Sequence, residues 1–128
     1  RALKYKTGDV VSATLVHEIG LSTQITAILK TPHYQRVTIF GENGWVELVD
    51  SSHPDTPGDS EMTIRMSNGS IDKIKFDWID SVSKNIHNFV DASTNNKEYL
   101  FTDNEKYQNI AVLDAIKLSS SNDIIVNI

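Results

Sequence analysis

Residues 36–49 read RVTIFGENGWVELV, and this stretch decides the fold class. Residues 36–40 and 45–49 are rich in β-branched and aromatic side chains, which favour strands. The intervening residues 42–44 are Glu-Asn-Gly, and asparagine and glycine tolerate the positive φ that tight turns need. The stretch therefore predicts two antiparallel strands joined by a short hairpin turn.

The strand pattern continues on both sides of this hairpin. Upstream, residues 10–19 and 23–29 alternate between the two faces that an extended chain presents. Downstream, residues 62–66 and 74–78 alternate in the same way around an Asn-Gly turn. The first half of the chain therefore predicts six strands.

The second half of the chain changes to a helical period. Apolar side chains recur at spacings of three and four over residues 79–90, which predicts a helix, and Asp77 or Asp80 can cap its start. Residues 102–105 read Thr-Asp-Asn-Glu, the pattern of a capping box that begins a second helix. Residues 123–128 predict a final strand.

Strands followed by helices predict an α+β fold. We expect an open, largely antiparallel sheet of about six or seven strands, with two main helices on one face. A length of 128 residues suits a single domain over 1–128. Hydrophobic residues at 39% and charged residues at 23% are ordinary for a globular protein and argue against disorder.

Composition excludes several classes of function. The chain has no cysteine, which excludes disulfides, thiolate zinc sites and cysteine nucleophiles. It has no apolar run of about 18 residues, so we expect no membrane span. A net charge of −5 without a Lys/Arg cluster argues against nucleic-acid binding. No signal-peptide pattern is present, which predicts a cytoplasmic protein.

One face of the predicted sheet is half apolar, and two helices cannot cover both faces of six or seven strands. Such a patch is typical of an interaction surface, although scattered exposed apolar residues are also normal on monomers. We therefore predict self-association, as a homo-oligomer, through this open face. The predicted interface residues are Thr14, Val16, Thr26, Ile28, Thr38, Phe40, Val46 and Leu48.

Candidate chemistry is sparse. His33, Tyr34 and Arg36 form a polar cluster at a connection between strands, and their side chains can donate to or stack on a small oxygenated ligand. We predict these three as substrate-binding residues. No nucleophile elbow, phosphate-binding glycine loop or histidine pair at metal-ligand spacing is present, so we predict no catalytic, cofactor-binding or metal-binding residue. Asn68 heads a glycosylation pattern, but the better interpretation is a turn.

The ordered motifs resemble a known family. Residues 37–48 resemble its apolar strand, Gly-x-x-Gly turn and alternating strand. Residues 88–92, NFVDA, resemble a helix that often reads Asn-Phe-x-Asp-Ala, and residues 113–119 resemble its usual ending. On these motifs the chain resembles the C-terminal domain of the Gfo/Idh/MocA (glucose–fructose oxidoreductase, inositol dehydrogenase and rhizopine-catabolism) family.

This resemblance implies a parent enzyme in which an N-terminal Rossmann domain binds NAD or NADP and the C-terminal domain shapes a pocket for a sugar or polyol. It also implies that the open sheet face packs against another subunit. The family's glycine-rich loop, its Glu-Lys-Pro segment and its Asp-x-x-x-His pair match no residues here. Together with a start at Arg1, this predicts a non-catalytic piece of a longer chain whose Rossmann domain is absent and which binds no dinucleotide itself.

Two other functions are consistent with the same residues. One is a free-standing α+β module for ligand binding or dimerisation, without enzymatic activity. The other is a small hydrolase or isomerase with its site in the sheet. Fold class by itself does not separate these functions from a domain of an oxidoreductase.

Overall fold

A computed structural model describes residues 8–53 and 55–128, and it confirms the α+β class. Six strands precede two helices, in the order that the sequence predicts. They are β1 (Val10–Val16), β2 (Ser22–Ile28), β3 (Gln35–Gly41), β4 (Gly44–Asp50), β5 (Ser60–Met66), β6 (Ile71–Phe76), α1 (Ser81–Thr94) and α2 (Asp103–Asn122).

All strand pairs are antiparallel, but the strands form two sheets. One sheet is the hairpin β1-β2, and the other has four strands in the order β3-β4-β5-β6. The described residues divide into two compact units: one contains β1, β2, the end of α1 and α2, and the other spans Thr31–Val90 with the four-stranded sheet and most of α1.

The length of each turn sets the register of its hairpin. In the β3-β4 hairpin, Gly41 pairs with Gly44, so only two residues form the loop. In the β1-β2 hairpin, Val16 pairs with Ser22 across a loop of five residues. A two-residue loop pairs even-numbered with odd-numbered positions, whereas a five-residue loop pairs positions of equal parity. This difference decides which side chains share a face.

The helix starts follow the predicted caps. The Asp80 carboxylate accepts a hydrogen bond from the backbone N–H of Ser83 at 2.8 Å, at the start of α1. At α2 the capping box is complete, because the Thr102 hydroxyl accepts from the N–H of Glu105 at 3.2 Å and the Glu105 carboxylate accepts from the N–H of Thr102 at 2.8 Å. Neither helix is long and apolar enough to cross a membrane, within the residues that the structure describes.

The prediction of a strand over residues 123–128 is wrong. Asp123 adopts the left-handed conformation that ends α2, with φ at 54°. The Ser119 hydroxyl then donates to the carbonyl of Ile124 at 2.6 Å, so the chain folds back on the helix end. No described strand pairs with this segment, and an extended segment without a partner has no ladder of hydrogen bonds.

No apolar side chain among residues 8–53 and 55–128 is fully buried. The apolar stripe of α1 is exposed as well; Ile86, for example, is 57% exposed. A stable domain needs apolar area removed from water, at about 25 cal/mol per Å². Exposed apolar side chains therefore lie on the sheets and on both helices.

Candidate functional site

The four-stranded sheet has one strongly apolar face. Directly opposite residues of paired strands lie on the same face, so the register assigns each side chain to a side. On the edge strand β3 this face presents Ile39, which is 63% exposed. We call this side the apolar face, and its central residues are Val37, Ile39, Val46, Leu48, Met62, Ile64 and Ile74. The same side carries Asp72 at the β6 edge and the polar residues Gln35, Asp50 and Ser60 in its end row.

The opposite side, which we call the charged face, forms a grid of three rows across four strands. Its rows are Arg36-Val49-Glu61-Lys75, Thr38-Glu47-Thr63-Lys73 and Phe40-Trp45-Arg65-Ile71. Neighbouring strands lie about 4.8 Å apart and successive rows about 7 Å apart. This face holds every Lys and Arg of residues 31–76, whereas the centre of the apolar face holds none.

Ion pairs run diagonally across the charged face. The Glu47 carboxylate accepts from Arg36 at 3.4 Å and from the Thr38 hydroxyl at 3.3 Å, both on β3. Lys73 donates to Glu61 at 2.6 Å, and this hydrogen bond lowers the pKa of Glu61 below its ordinary value. Both carboxylates of this face are therefore already paired with a cation.

The predicted interface residues do not all share one face. Thr14, Val16, Thr26 and Ile28 do lie together on one side of the β1-β2 hairpin. On the four-stranded sheet, however, the two-residue turn pairs position 38 with 47 and position 40 with 45. Thr38 and Phe40 therefore lie on the charged face, and Val46 and Leu48 lie on the apolar face. Placing these four residues on one face was wrong, because the parity of the turn was not taken into account.

The predicted substrate residues are also divided. His33 lies at the end of the sheet where β3 begins, and its ring meets that of His53 edge to face, with centroids 5.9 Å apart. Tyr34 beside it is 66% exposed. Arg36 instead lies within the charged face, paired with Glu47. The structure thus brings His53, rather than Arg36, beside His33.

Several hydrogen bonds hold the described residues of the loop, 51–53 and 55–59. His53 and Thr56 exchange two backbone hydrogen bonds, and Trp78 donates its indole N–H to the carbonyl of His53 at 3.3 Å. The His53 ring also contacts the Asp55 carboxylate, and this hydrogen bond lowers the pKa of Asp55. No sequence motif indicated this arrangement, because its partners are 25 residues apart along the chain.

Asp50 completes this end of the sheet. Its carboxylate accepts from the N–H of Ser52 at 2.8 Å and from the hydroxyl of Ser60 at 2.9 Å. These hydrogen bonds, Ser52 first, lower the pKa of Asp50, and the nearby charge of His33 adds to the effect. We call His33, Tyr34, Asp50, His53 and Asp55 the sheet-end cluster; its donors and acceptors suit the hydroxyl groups of a small ligand.

The helix starts and the glycines of the described residues can be compared with the pattern of a phosphate-binding loop. Free N–H groups at a helix N-terminus commonly bind pyrophosphate. Here the carboxylates of Asp80 and Glu105 already occupy the starts of α1 and α2, and Gly41 and Gly44 belong to a strand hairpin. No group of three His, Asp or Glu among residues 8–53 and 55–128 could hold a metal ion.

Comparison with known protein families identifies the family of this chain. Residues 4–128 match the family GFO_IDH_MocA_C, described as "Oxidoreductase family, C-terminal alpha/beta domain". The match covers nearly the whole chain and confirms the resemblance that the motifs indicated. No curated protein and no solved structure gives a significant match.

Proposed function

Because the chain belongs to the Gfo/Idh/MocA oxidoreductase family as its C-terminal alpha/beta domain, we propose that it supplies a subunit-association surface and part of the substrate wall of a cytoplasmic, NAD(P)-dependent enzyme. The substrate would be a sugar or polyol. The sequence carries no glycine-rich nucleotide loop, so the part we assign to this chain is binding rather than hydride transfer.

The observation that carries the proposal is the apolar face, whose edge residue Ile39 is 63% exposed. A contiguous apolar side of a sheet is costly in water and is typical of a protein–protein interface. A second copy could present the same face, since two-fold symmetry brings identical patches together. For the substrate wall, the support is the sheet-end cluster, whose His33 and His53 rings are in contact near the polar end row Gln35-Asp50-Ser60.

Two adjacent residues of β3 provide a matched test. Ile39 lies on the apolar face and is 63% exposed, and Phe40 lies on the charged face and is 76% exposed. Ile39→Asp would place a carboxylate in the association surface, which costs several kcal/mol unless it is paired. We expect it to weaken self-association by about tenfold or more, measured by sedimentation equilibrium at micromolar concentrations. Phe40→Asp should leave the association constant unchanged.

Three results would contradict the proposal. The first is a wild-type chain that stays monomeric. The second is Phe40→Asp weakening association as much as Ile39→Asp does. The third is Ile39→Asp lowering the free energy of unfolding, by urea titration, while the association constant stays the same. In that case the apolar face would be an inner surface of the chain itself.

A further inference from the structure

We propose that the charged face carries a second binding site, for a sugar acid or sugar phosphate, in the row Phe40-Trp45-Arg65. The shared chemistry of these ligands is a ring with an apolar side and one anionic oxygen group. This site goes beyond the proposed function. It lies at the end of the sheet where the β3-β4 turn is. The row that begins with Arg36, next to the sheet-end cluster, is about 13 Å away along the strands.

The first argument is the uncompensated charge of Arg65. The face carries four cations and two carboxylates, on a chain with a net charge of −5. Glu61 pairs with Lys73 and faces Lys75, whose charge also lowers the pKa of Glu61. Arg65, by contrast, has only uncharged neighbours in its row and no ion-pair partner among the described residues.

The second argument concerns the direction of Glu47. This carboxylate is the acidic group diagonal to Arg65 across the β4-β5 pair. Its oxygen is held by Arg36 and Thr38 on β3, the opposite side from Arg65. The guanidinium therefore remains available, and its planar fork matches a carboxylate or phosphate with two parallel hydrogen bonds.

The third argument is the aromatic pair beside this cation. Trp45 on β4 pairs with Phe40 of β3 on one side and with Arg65 of β5 on the other. Two aromatic side chains and a guanidinium group therefore lie side by side on neighbouring strands. Phe40 is the more exposed of the two. Aromatic faces accept the apolar side of a ring, and in the next row the half-buried Thr63 hydroxyl can bind a ring hydroxyl group.

The test uses the two tryptophans of the chain as probe and control. In the ¹⁵N-labelled chain, the indole signal of Trp45 reports the proposed site and that of Trp78 reports the sheet-end loop. Glucuronate, glucose 6-phosphate and neutral glucose are titrated separately. We expect saturable shifts of Trp45 with the anions, in the millimolar range because the site is an open sheet face, and none with glucose. Binding of only one anion would support the site and identify the group it prefers.

Variants separate this site from a non-specific effect. Arg65→Gln removes the charge-assisted hydrogen bonds and should weaken binding by about tenfold. Lys84→Gln on α1 removes an equal charge elsewhere and should leave binding unchanged. The Phe40→Asp chain should lose affinity for the anions, and the Ile39→Asp chain should keep it. The two proposals can therefore fail independently.

The proposal would be overturned by any of three results. One is no saturable shift of Trp45 with either anion. Another is an equal shift with glucose. The last is unchanged affinity in Arg65→Gln; because this side chain is exposed and makes no described ion pair, the variant should stay folded, as the dispersion of the same spectra will show.

Discussion

Gly44 is the position at which a single added carbon should damage this fold most clearly. It begins β4, where it pairs with Met66 of β5, and its φ is 150°. An alanine Cβ there would lie 2.1 Å from the carbonyl oxygen of Arg65 and 2.9 Å from the Cα of Met66. Both are backbone atoms, so no rotation of a side chain can relieve the overlap.

The cost of Gly44→Ala follows from this geometry. An L-residue held at such a φ is strained by roughly 1–3 kcal/mol. Separating β4 from β5 at this end also removes a ladder hydrogen bond, worth about 1 kcal/mol. We therefore expect a loss of about 2–4 kcal/mol in the free energy of unfolding.

Gly41 provides the matched control in the same hairpin. A Cβ at Gly41 would meet the carbonyl oxygen of Gly44 at 3.7 Å, an ordinary contact. Gly41→Ala should therefore leave stability unchanged within about 0.5 kcal/mol. The assay is urea unfolding followed by tryptophan fluorescence, with all chains at one concentration. Equal midpoints for the two alanine variants would refute the reasoning.

Two further predictions concern α2 and acid stability. Thr102→Ala removes the capping box and should lower the unfolding free energy by about 1 kcal/mol by circular dichroism, whereas Ser120→Ala on the same helix should change it by less than about 0.5 kcal/mol. A Thr102→Ala chain as stable as the Ser120→Ala chain would contradict this. The hydrogen bonds from Ser52 and Ser60 lower the pKa of Asp50 in the folded state, so they add stability at pH values above 3.8, its ordinary pKa. This stability is lost as the pH falls through the folded-state pKa. Asp50→Asn should thus be less stable than wild type at neutral pH, with the difference in urea midpoint shrinking below pH 3.8; a constant difference would argue against it.

The elements themselves could be predicted because their signals are local. Alternation, an Asn-Gly turn and a capping box each act over a few residues, and all six strands and both helices formed in the expected order. Their ends differ by a few residues; β6, for example, spans Ile71–Phe76 rather than 74–78. The error at residues 123–128 has the opposite cause. A strand exists only if another strand pairs with it, and no local pattern reveals that partner.

The candidate sites depended on contacts between distant residues. His53 joined His33 because a loop folds back at the end of the sheet, and its carbonyl is held by Trp78. Arg65 came to stand beside Trp45 through strand register. The sequence gives the positions of Arg36, Arg65, Lys73 and Lys75 along the chain, but it could not show that their side chains share one face of the sheet.

The sequence by itself determined the class of fold, the family and the lack of a nucleotide loop, because each rests on residues adjacent in the chain. The tertiary structure alone decided which side chains share a face. The reason is parity: the two residues between Gly41 and Gly44 join even-numbered positions of β3 to odd-numbered positions of β4. A three-residue turn over residues 42–44 would have paired Phe40 with Val46 and placed them on the same face, as the alternation in the sequence had suggested.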